Sequence, residues 1–385
     1  TEFVEMPDEV LLATAVYLPE GDGPWPVVLV RTPYGRMDTS QIHVGPPAIY
    51  TENGYAHVAQ DTRGRGDSGG EWDFADDPAD GQTTVEWIAD QPWCNGTIEA
   101  GGFSAGGMAA CALAPGAPDA VRALRSEAAT PDLFHHLVYQ GGTFRGIFDM
   151  WLTFFGLEDH REEFLEHRFL DEFWEPYQWI DHAAEVHTPM LHIGGWYDAV
   201  LQGTLDGFRA YQYSGDDGAR GRQHLLVGPW THLEWGVSDL QGVTYPDNAT
   251  LDLDAVRAAF RDYWLKGEST GVDQWPAVRV YLMGALDEED APGNHWVELD
   301  DWPPWSYKEP WYLDANGGLG DTAAPSGSIT LTIDPNDPVP TKGGANLFVA
   351  AGPLLQYTAE ERPDVLTFTS EVLEQPVAIM GPVTA

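Results

Sequence analysis

The chain has 385 residues, 43% of them hydrophobic, and these values favour a globular protein of two or three domains over a disordered chain. Its 61 acidic residues outnumber its 19 basic residues, and the net charge of −42 makes nucleic acid an unfavourable partner. No apolar run approaches the roughly 18 residues of a membrane span, so no membrane partner is expected.

The acidic residues are spread along the chain, and only Lys266, Lys308 and Lys342 are lysines. A hydrated acidic surface of this kind tolerates self-repulsion when concentrated salt screens it. We therefore expect a soluble protein, cytoplasmic or secreted, that is adapted to high salt; an ordinary acidic protein is the alternative. Cys94 and Cys111 lack metal-ligand spacing, and two free thiols are favoured over one disulfide.

Apolar runs and turn signals alternate along the first third of the chain and again near its middle. The runs have the length of buried strands, and they lie at residues 27–30, 55–59, 98–103, 190–193 and 224–227. Helix-like stretches lie between or after them, at residues 81–88, 105–113 and 256–267. Strands that alternate with helices predict a mostly parallel α/β sheet.

Residues 130–185 lack strand punctuation and are rich in aromatic side chains, which predicts a helical insertion with an apolar underside. Most of these rings are expected to pack the insertion onto the sheet. A few aromatic residues of the chain are expected to line a substrate pocket, and the candidates are Trp151, Phe154, Trp174, Trp196 and Trp230.

After Gly271 the pattern changes to short apolar segments separated by Pro, Gly and Asp, which is typical of an all-β domain. These segments lie at residues 278–282, 311–313, 329–333 and 365–368. The chain is thus divided into a core at residues 1–129 and 186–267, a helical cap at 130–185 and a β domain at 272–385.

The string Gly102-Phe103-Ser104-Ala105-Gly106 follows one predicted strand and precedes a helix of small residues. This is the pattern and the context of a nucleophile elbow, in which glycines let the strand and the helix approach a strained serine. The helix N-terminus also favours developing negative charge. Ser104 is therefore the predicted nucleophile.

A second glycine-rich stretch, at residues 63–70, contains two misleading strings. Gly66-Asp67-Ser68-Gly69-Gly70 matches the serine-protease string of chymotrypsin-like enzymes, but those enzymes are all-β and carry that serine late in the chain. Ser68 is therefore rejected as a nucleophile. The stretch also matches Gly-x-Gly-x-x-Gly, yet an acidic loop that would repel a pyrophosphate follows it instead of a helix.

A nucleophilic serine needs a base, and the base needs an orienting carboxylate. In a fold of this type both follow the serine, on loops that leave later strands. Asp198 follows the strand predicted at 190–193, and His232 follows the strand predicted at 224–227, so the order Ser104, Asp198, His232 fits a catalytic triad. The sequence has no His-Glu-x-x-His or comparable ligand set, so neither a metal nor another cofactor is expected.

Together these motifs resemble the CocE/NonD family of serine hydrolases, which includes cocaine esterase, α-amino acid ester hydrolases and X-Pro dipeptidyl-peptidases. The resemblance spans nearly the whole chain. Besides the elbow, it rests on Arg31-Thr32-Pro33-Tyr34, Gln60-Asp61-Thr62-Arg63-Gly64, Trp93-Cys94-Asn95-Gly96, Gly194 to Asp198, and Gly228-Pro229-Trp230-Thr231-His232.

The resemblance implies an α/β-hydrolase core, a helical cap inserted before the catalytic aspartate and a C-terminal jelly-roll β domain. It also implies that the hydroxyl of Tyr34 and the backbone N–H of Ala105 form the oxyanion hole. Relatives continue beyond the point where this sequence stops, so the jelly roll is expected to be incomplete. Three explanations stay open: a cleaved gene product, a further C-terminal polypeptide that completes the β domain, or a shortened variant. The oligomeric state stays open.

The expected reaction is a two-step acyl transfer to water from a small ester or a short peptide. An X-Pro dipeptidyl-peptidase or other aminopeptidase is the alternative among enzymes, and a non-catalytic binding module is the alternative from another class. In the ester hydrolases of this family that act on α-amino acids, acidic residues after the catalytic aspartate help to bind the ammonium group. Here those positions are Val200 and Leu201, so neutral or acidic acyl groups are expected, unless Asp149 or Glu158 of the cap supplies the charge.

Overall fold

A computed structural model describes residues 1–40, 44–288, 290–304 and 309–383. Its strands are β1 (Glu2–Glu5), β2 (Leu11–Tyr17), β3 (Trp25–Thr32), β4 (Ala56–Asp61), β5 (Cys94–Phe103), β6 (Val121–Glu127), β7 (Met190–Tyr197), β8 (His224–Thr231), β9 (Asp239–Leu240), β10 (Val243–Thr244), β11 (Val278–Leu282), β12 (His295–Leu299), β13 (Tyr312–Leu313) and β14 (Leu319–Gly320). Its α-helices are α1 (Ala48–Thr51), α2 (Asp77–Ala89), α3 (Ala105–Leu113), α4 (Gly146–Phe154), α5 (Arg161–Glu166), α6 (Leu201–Ser214), α7 (Leu253–Arg261) and α8 (Tyr357–Glu360).

The centre of the molecule is a ten-stranded sheet with the order β1-β2-β4-β3-β5-β6-β7-β8-β11-β12. The strands from β4 to β11 in this order are parallel, and β1, β2 and β12 run antiparallel to their neighbours. The parallel strands read as continuous apolar runs because helices cover both faces of such a sheet. Their carboxyl ends lie at one edge, which is where a ligand binds in open α/β sheets.

Helix α3 lies closest to the centre of the sheet and is buried from Ala105 to Leu113. Its residues are mostly Ala and Gly, and such small side chains allow a helix to approach a sheet closely. A side-chain methyl at Gly107 would lie 2.8 Å from the Cβ of Ala129 and 2.9 Å from the carbonyl oxygen of Glu127. The small residues therefore fix the position of the helix that follows Ser104.

A chain of buried ion pairs joins the sheet to α7. Arg125 and Arg261 donate to the two carboxylate oxygens of Glu99 over 3.0 and 2.8 Å, and Arg257 donates to both oxygens of Glu127 over 2.8 and 2.6 Å. Burial alone would raise the pKa of Glu127, but Arg257 and Arg125 lower it to about 2. Glu127 is thus charged and paired, as a buried carboxylate has to be.

The segment between β6 and β7 is helical and forms a cap. It contains α4, α5, a π-turn at Phe134–Val138 and 3₁₀ turns at Glu172–Tyr177 and Trp179–Glu185. Most of its aromatic rings pack against one another in a single cluster that also includes Ala105 and Met108 of α3. The aromatic content of the cap therefore serves mainly to bury it against the elbow helix.

The first strands after residue 271 belong to the central sheet. The run at 278–282 does form a strand, but β11 pairs with β8 in parallel and β12 pairs with β11, so both belong to the central sheet. The sheet therefore continues past the predicted boundary at residue 272. The physical reason is that β8 would otherwise be an open edge, with unpaired backbone groups available to the next strand.

Beyond Leu299 the described residues pair only in β13–β14 and in the isolated bridges Gly318–Thr369 and Gly344–Gly352. The runs at 329–333 and 365–368, which were predicted as strands, are irregular. A strand is stable only where a neighbour takes up its N–H and C=O groups, and these runs lack such a ladder within the described ranges. Several of their apolar side chains are exposed, including those of Ile333 and Leu366.

The sequence also predicted two free thiols and no membrane-spanning segment. Cys94 and Cys111 are both free, as predicted, and burial raises the pKa of Cys111 to about 12, so this thiol is unreactive at neutral pH. Among the described residues, no helix is long and apolar enough to cross a membrane.

Candidate active site

Ser104 lies at the sharp turn between β5 and α3. Its backbone has φ 55° and ψ −125°, a strained conformation for a residue with a side chain. Its N–H donates to the carbonyl oxygen of Glu127 over 2.8 Å, which ties the turn to β6. A Cβ at Gly102 would lie 2.5 Å from the carbonyl carbon of Gly106, so only glycine permits this turn. The turn presents the hydroxyl at the carboxyl edge of the sheet, where later loops can reach it.

His232 reaches that hydroxyl from the loop after β8, and Asp198 reaches His232 from the loop after β7. His232 Nε2 lies 3.1 Å from Ser104 Oγ, and His232 Nδ1 lies 3.2 Å from Asp198 Oδ2. The second carboxylate oxygen of Asp198 accepts the N–H of Val200 over 2.7 Å. Both His232 and Asp198 are buried, so their hydrogen bonds are shielded from water. The structure thus brings the three predicted triad residues together in hydrogen-bonding order.

Two further contacts hold the imidazole of His232 in place. The indole N–H of Trp235 donates to the carbonyl oxygen of His232 over 2.7 Å, and the ring of Phe103 lies 5.1 Å from the imidazole ring. Sequence reasoning did not identify Trp235, although an aromatic residue three positions after the histidine is visible in the sequence.

Tyr34 approaches Ser104 from the loop after β3. Its hydroxyl donates to Ser104 Oγ over 3.2 Å and accepts the indole N–H of Trp151 over 3.3 Å. The backbone N–H of Ala105 also hydrogen-bonds the same hydroxyl. Burial raises the pKa of Tyr34, so the phenol stays protonated and can donate. The two predicted oxyanion donors therefore converge beside the nucleophile.

A small, partly open cavity of about 30 Å³ lies in front of Ser104 and His232. Its walls are almost entirely apolar, and the residues that contribute them besides the triad and oxyanion residues are Phe74, Met108, Leu137, Ile147, Phe148, Trp151, Ala199, Val200 and Leu347. Leu347 comes from the irregular C-terminal segment and was not expected there. A contact so distant in sequence and outside any strand or helix leaves no periodic signal.

Among the five aromatic residues predicted for the pocket, Trp151 lines this cavity. Phe154 is 73% exposed, because the inward face of α4 carries Phe148, Trp151 and Leu152. The other three do not line the cavity. Trp174 donates to the carbonyl of His167 inside the cap, and Trp196 donates to the carbonyl of Tyr281 on β11. Trp230 packs against Trp235 and Trp296. Trp196 and Trp230 were misplaced because β11 and β12, which cover them, were assigned to another domain.

The two cap carboxylates considered as binders of an ammonium group do not line the cavity. Asp149 forms an ion pair with Arg161 on the outer side of α4, and Glu158 is exposed. Val200 lines the cavity, whereas Leu201 packs into a different cluster. No described residue contributes a carboxylate to the cavity walls around Ser104.

The rejected serine, Ser68, has a structural role. Its hydroxyl accepts the N–H of Ala13 over 2.9 Å and donates to the carbonyl oxygen of Asp61 over 2.7 Å. Asp61 is buried and pairs with Arg36, and it also accepts the N–H of Asp67 over 3.0 Å. The stretch at 63–70 is thus a hydrogen-bonded turn, but a helix does follow it: α2 begins at Asp77, directly after a 3₁₀ turn at Phe74–Asp76. The first turn of α2 carries Asp77 and Asp80, which would repel a pyrophosphate.

With this geometry in view, comparisons with known proteins become informative. A family model described as X-Pro dipeptidyl-peptidase (S15 family) matches residues 8–155 and 149–234, and a model of the C-terminal non-catalytic domain of X-Pro dipeptidyl-peptidases matches residues 270–385. Cocaine esterase from Rhodococcus sp. (strain MB1 Bresler) is 30% identical over 458 residues, which cover 99% of this chain and 76% of that enzyme. The chain belongs to the S15 family and is a hydrolase of the CocE/NonD type.

Two solved structures of this kind show the same fold. An α-amino acid ester hydrolase aligns with a TM-score of 0.78 at 23% identity, over 98% of this chain and 73% of that one. An aminopeptidase from a marine sediment archaeon, Thaumarchaeota archaeon, aligns with a TM-score of 0.72 at 23% identity, over 88% of this chain and 65% of that one. The predicted α/β-hydrolase fold is therefore confirmed, and the likeness to these structures is limited to the fold.

Proposed function

We propose that this CocE/NonD hydrolase is an esterase for small, neutral acyl groups and that Ser104, His232 and Asp198 form its catalytic triad. One observation carries the proposal: a serine in the strained turn of an elbow lies within 3.2 Å of both an imidazole and a tyrosine hydroxyl. A nucleophile, a base and an oxyanion donor then meet at one point, which is the requirement for acyl transfer.

In the first step, Ser104 Oγ attacks the ester carbonyl carbon while His232 Nε2 takes the hydroxyl proton. Asp198 holds the imidazole by its Nδ1–H and stabilises the imidazolium that forms. The Tyr34 hydroxyl and the Ala105 N–H donate to the carbonyl oxygen as it becomes negative. His232 then gives its proton to the departing alcohol, and water repeats the sequence on the acyl-enzyme.

The cavity wall supports the choice of acyl group. Phe148, Trp151, Val200 and Leu347 surround the space in front of Ser104, and none of them carries a negative charge that could form a salt bridge with an ammonium group. An ammonium group placed there would lose its hydration without gaining a carboxylate partner, which is strongly unfavourable. An apolar acyl chain would instead gain from burial, by about 25 cal/mol for each Å² removed from water.

Two measurements test this function. A fluorophosphonate probe should label Ser104 in the full chain, and a labelled residue other than Ser104, or none, would refute the triad. The ratio kcat/KM for p-nitrophenyl butyrate should exceed that for the unblocked methyl ester of phenylglycine at least tenfold. A preference for the amine-bearing ester, or faster cleavage of an X-Pro nitroanilide, would favour an aminopeptidase instead.

A further inference from the structure

Helix α4 supplies much of the cavity wall, and its two ends lie against the two loops that carry active-site residues. Ile147, Phe148 and Trp151 of α4 line the cavity, and the indole of Trp151 donates to the hydroxyl of Tyr34. Arg145 precedes the helix as its N-terminal cap residue, and Phe155 follows it as its C-terminal cap residue. The placement of α4 is therefore set where these flanking residues meet the rest of the molecule.

At the C-terminal end the contact is made by Arg65, from the glycine-rich stretch that resembled a dinucleotide motif. Its guanidinium donates to the carbonyl oxygen of Phe155 over 3.0 Å and to that of Pro33 over 3.3 Å. Pro33 directly precedes Tyr34, and the ring of Phe155 lies 4.9 Å from the ring of Tyr34. Arg65 thus joins the end of α4 to the loop of the proposed oxyanion donor.

At the N-terminal end the contact is made by Arg145. Its guanidinium donates to the carbonyl oxygen of Ala199 over 2.9 Å and to that of His136 over 2.6 Å. Ala199 directly follows Asp198 and lies inside the short turn in which the N–H of Val200 donates to the Asp198 carboxylate. Arg145 thus joins the start of α4 to the loop of the triad carboxylate.

Arg65 and Arg145 have hydrogen-bond partners of a different kind from those of Arg36 and Arg63. Arg36 and Arg63 form ion pairs with carboxylates, and hydrogen bonds to Asp80 and Asp8 raise the pKa of Arg63 despite its burial. Among the described residues, the hydrogen bonds of Arg65 and Arg145 go to backbone carbonyls instead, and burial lowers the pKa of both. Arg65 also lies over the ring of Phe155, and the charge of Asp198 partly offsets the effect of burial on Arg145. A half-buried guanidinium without a carboxylate hydrogen bond still carries a desolvation cost, and such costs are mostly found at functional sites.

We propose that Arg65 and Arg145 are positioning residues that hold α4 on the loops of Tyr34 and Asp198, so that these two groups keep their places beside Ser104 only while α4 is seated. The proposal rests on the proposed function, since it assigns the two arginines to the orientation of its oxyanion donor and its triad carboxylate. Neither arginine touches the reacting atoms.

A double-mutant cycle in the full chain tests the role of Arg65. Arg65→Ala should lower kcat for p-nitrophenyl butyrate by about tenfold, which is within the range of couplings between contacting residues. In a Tyr34→Phe background the same substitution should change kcat by less than about twofold, because the group that Arg65 positions is already gone. Equal effects in both backgrounds would overturn the proposal. Should Arg65→Ala fail to fold, Arg65→Met keeps most of the apolar stem and takes its place.

Arg161→Ala is the matched control. Arg161 also contacts α4, through its ion pair with Asp149, but on the side away from the catalytic loops. It should leave kcat within twofold of the unmodified chain. A decrease in kcat as large as that of Arg65→Ala would mean that the loss of any contact to α4 lowers kcat equally. That outcome would refute a specific role for Arg65.

The role of Arg145 is tested by the rate at which a fluorophosphonate labels Ser104, with Asp198→Asn as the second substitution of the cycle. Arg145→Ala should slow labelling by about tenfold in the unmodified chain and hardly at all in the Asp198→Asn background. Equal slowing in both would remove Arg145 from the proposal. Labelling also distinguishes a failure of the positioning role from a failure of the proposed function. If Ser104 of the unmodified chain is labelled, the proposed function stands even where a double-mutant cycle fails.

Discussion

Two glycine-rich turns follow successive strands of the chain, and each contains a serine. One follows β5 and contains Ser104; the other follows β4 and contains Ser68. Both need glycine for close approach, since a Cβ at Gly102 would lie 2.5 Å from the carbonyl carbon of Gly106 and one at Gly66 would lie 2.2 Å from a carboxylate oxygen of Asp61. They differ in what the serine hydroxyl meets.

The hydroxyl of Ser68 is taken up by two backbone groups, the N–H of Ala13 and the carbonyl of Asp61. Within the part of the chain that the structure describes, the hydroxyl of Ser104 hydrogen-bonds with His232 and Tyr34, both of which can exchange protons with it. A serine committed to backbone hydrogen bonds stabilises its turn, whereas one that faces an imidazole can react. The comparison shows that the surroundings of a hydroxyl, and not its glycine-rich string, decide its role.

The largest effect is expected from Ser104→Ala. It should lower kcat by about 10⁴-fold or more, because the nucleophile and the proton donor to His232 are lost together. The melting temperature should stay within a few degrees, since the Ser104 side chain has no backbone partner among the described residues. Activity assays and thermal melts of the purified variant check this. If the variant kept activity within tenfold of the unmodified chain, Ser104 would not be the nucleophile, and the two serines would not differ in role.

Asp61→Asn should have the largest effect on stability. Asp61 is fully buried and accepts hydrogen bonds from the guanidinium and backbone of Arg36, so loss of its charge leaves a buried cation without its main partner. The free energy of unfolding should fall by about 3 to 5 kcal/mol, as for other broken buried pairs. Chemical denaturation measures this value.

Asp67→Asn serves as the control for Asp61→Asn. Asp67 also pairs with Arg36, over 2.8 Å, but its side chain is 70% exposed. Its loss should lower the free energy of unfolding by less than about 1 kcal/mol. Equal losses for the two variants would show that the turn after β4 does not depend on a buried charge.

The strand that leads into this turn also carries a pH-sensitive group. His57 of β4 is fully buried between the rings of Tyr17 and Tyr50, and burial lowers its pKa to about 4. The unfolded chain binds a proton at His57 below about pH 6.5 and the folded chain does not, so stability should fall as the pH falls from 6.5 to 4. The decrease from this group is at most about 3 kcal/mol.

His57→Phe should remove that contribution, so the stability of the variant should depend less on pH between 6.5 and 4 than that of the unmodified chain. His192, whose pKa burial also lowers to about 4, acts in the same direction and should keep part of the dependence. Denaturation at a series of pH values measures both. An unchanged pH dependence in His57→Phe would contradict the assignment.

The smallest effect on activity is expected from Ser68→Ala. It should leave kcat within twofold and lower the free energy of unfolding by about 1 to 3 kcal/mol, because the N–H of Ala13 in β2 loses its partner. Activity assays and thermal melts of the purified variant check this, and they should show unchanged activity and lowered stability. A loss of activity without a loss of stability would reverse the roles of the two serines.

The sequence was most informative where local rules and the fold agree. The apolar run before Ser104, the small residues of α3 and the histidine and aspartate after later strands each have a local signal, and the structure places all of them together. The strands β1, β2, β6 and β12 were not predicted. Two of them, β1 and β6, have a local cause. Both lie in stretches where charged residues interrupt the apolar pattern, as Arg122 and Arg125 do in β6.

Where contacts span large distances along the chain, the sequence was less informative. Neither the place of β11 beside β8 nor that of Leu347 in the cavity follows from periodicity, because each depends on which surfaces remain uncovered once the sheet has formed. In the same way, the apolar runs after residue 300 predicted strands that need partners to exist. Adaptation to high salt and the bounds of the three domains stay predictions.

The position of Leu347 has a practical consequence for redesigning this hydrolase. The segment that carries it closes on itself through the backbone pairing of Gly344 with Gly352, and it contributes a wall to the cavity without supplying any group of the triad. We therefore expect the segment to tolerate substitutions at positions that line the cavity. Libraries at residues 345–351 would alter the size of acyl chain accepted while the machinery around Ser104 is left untouched.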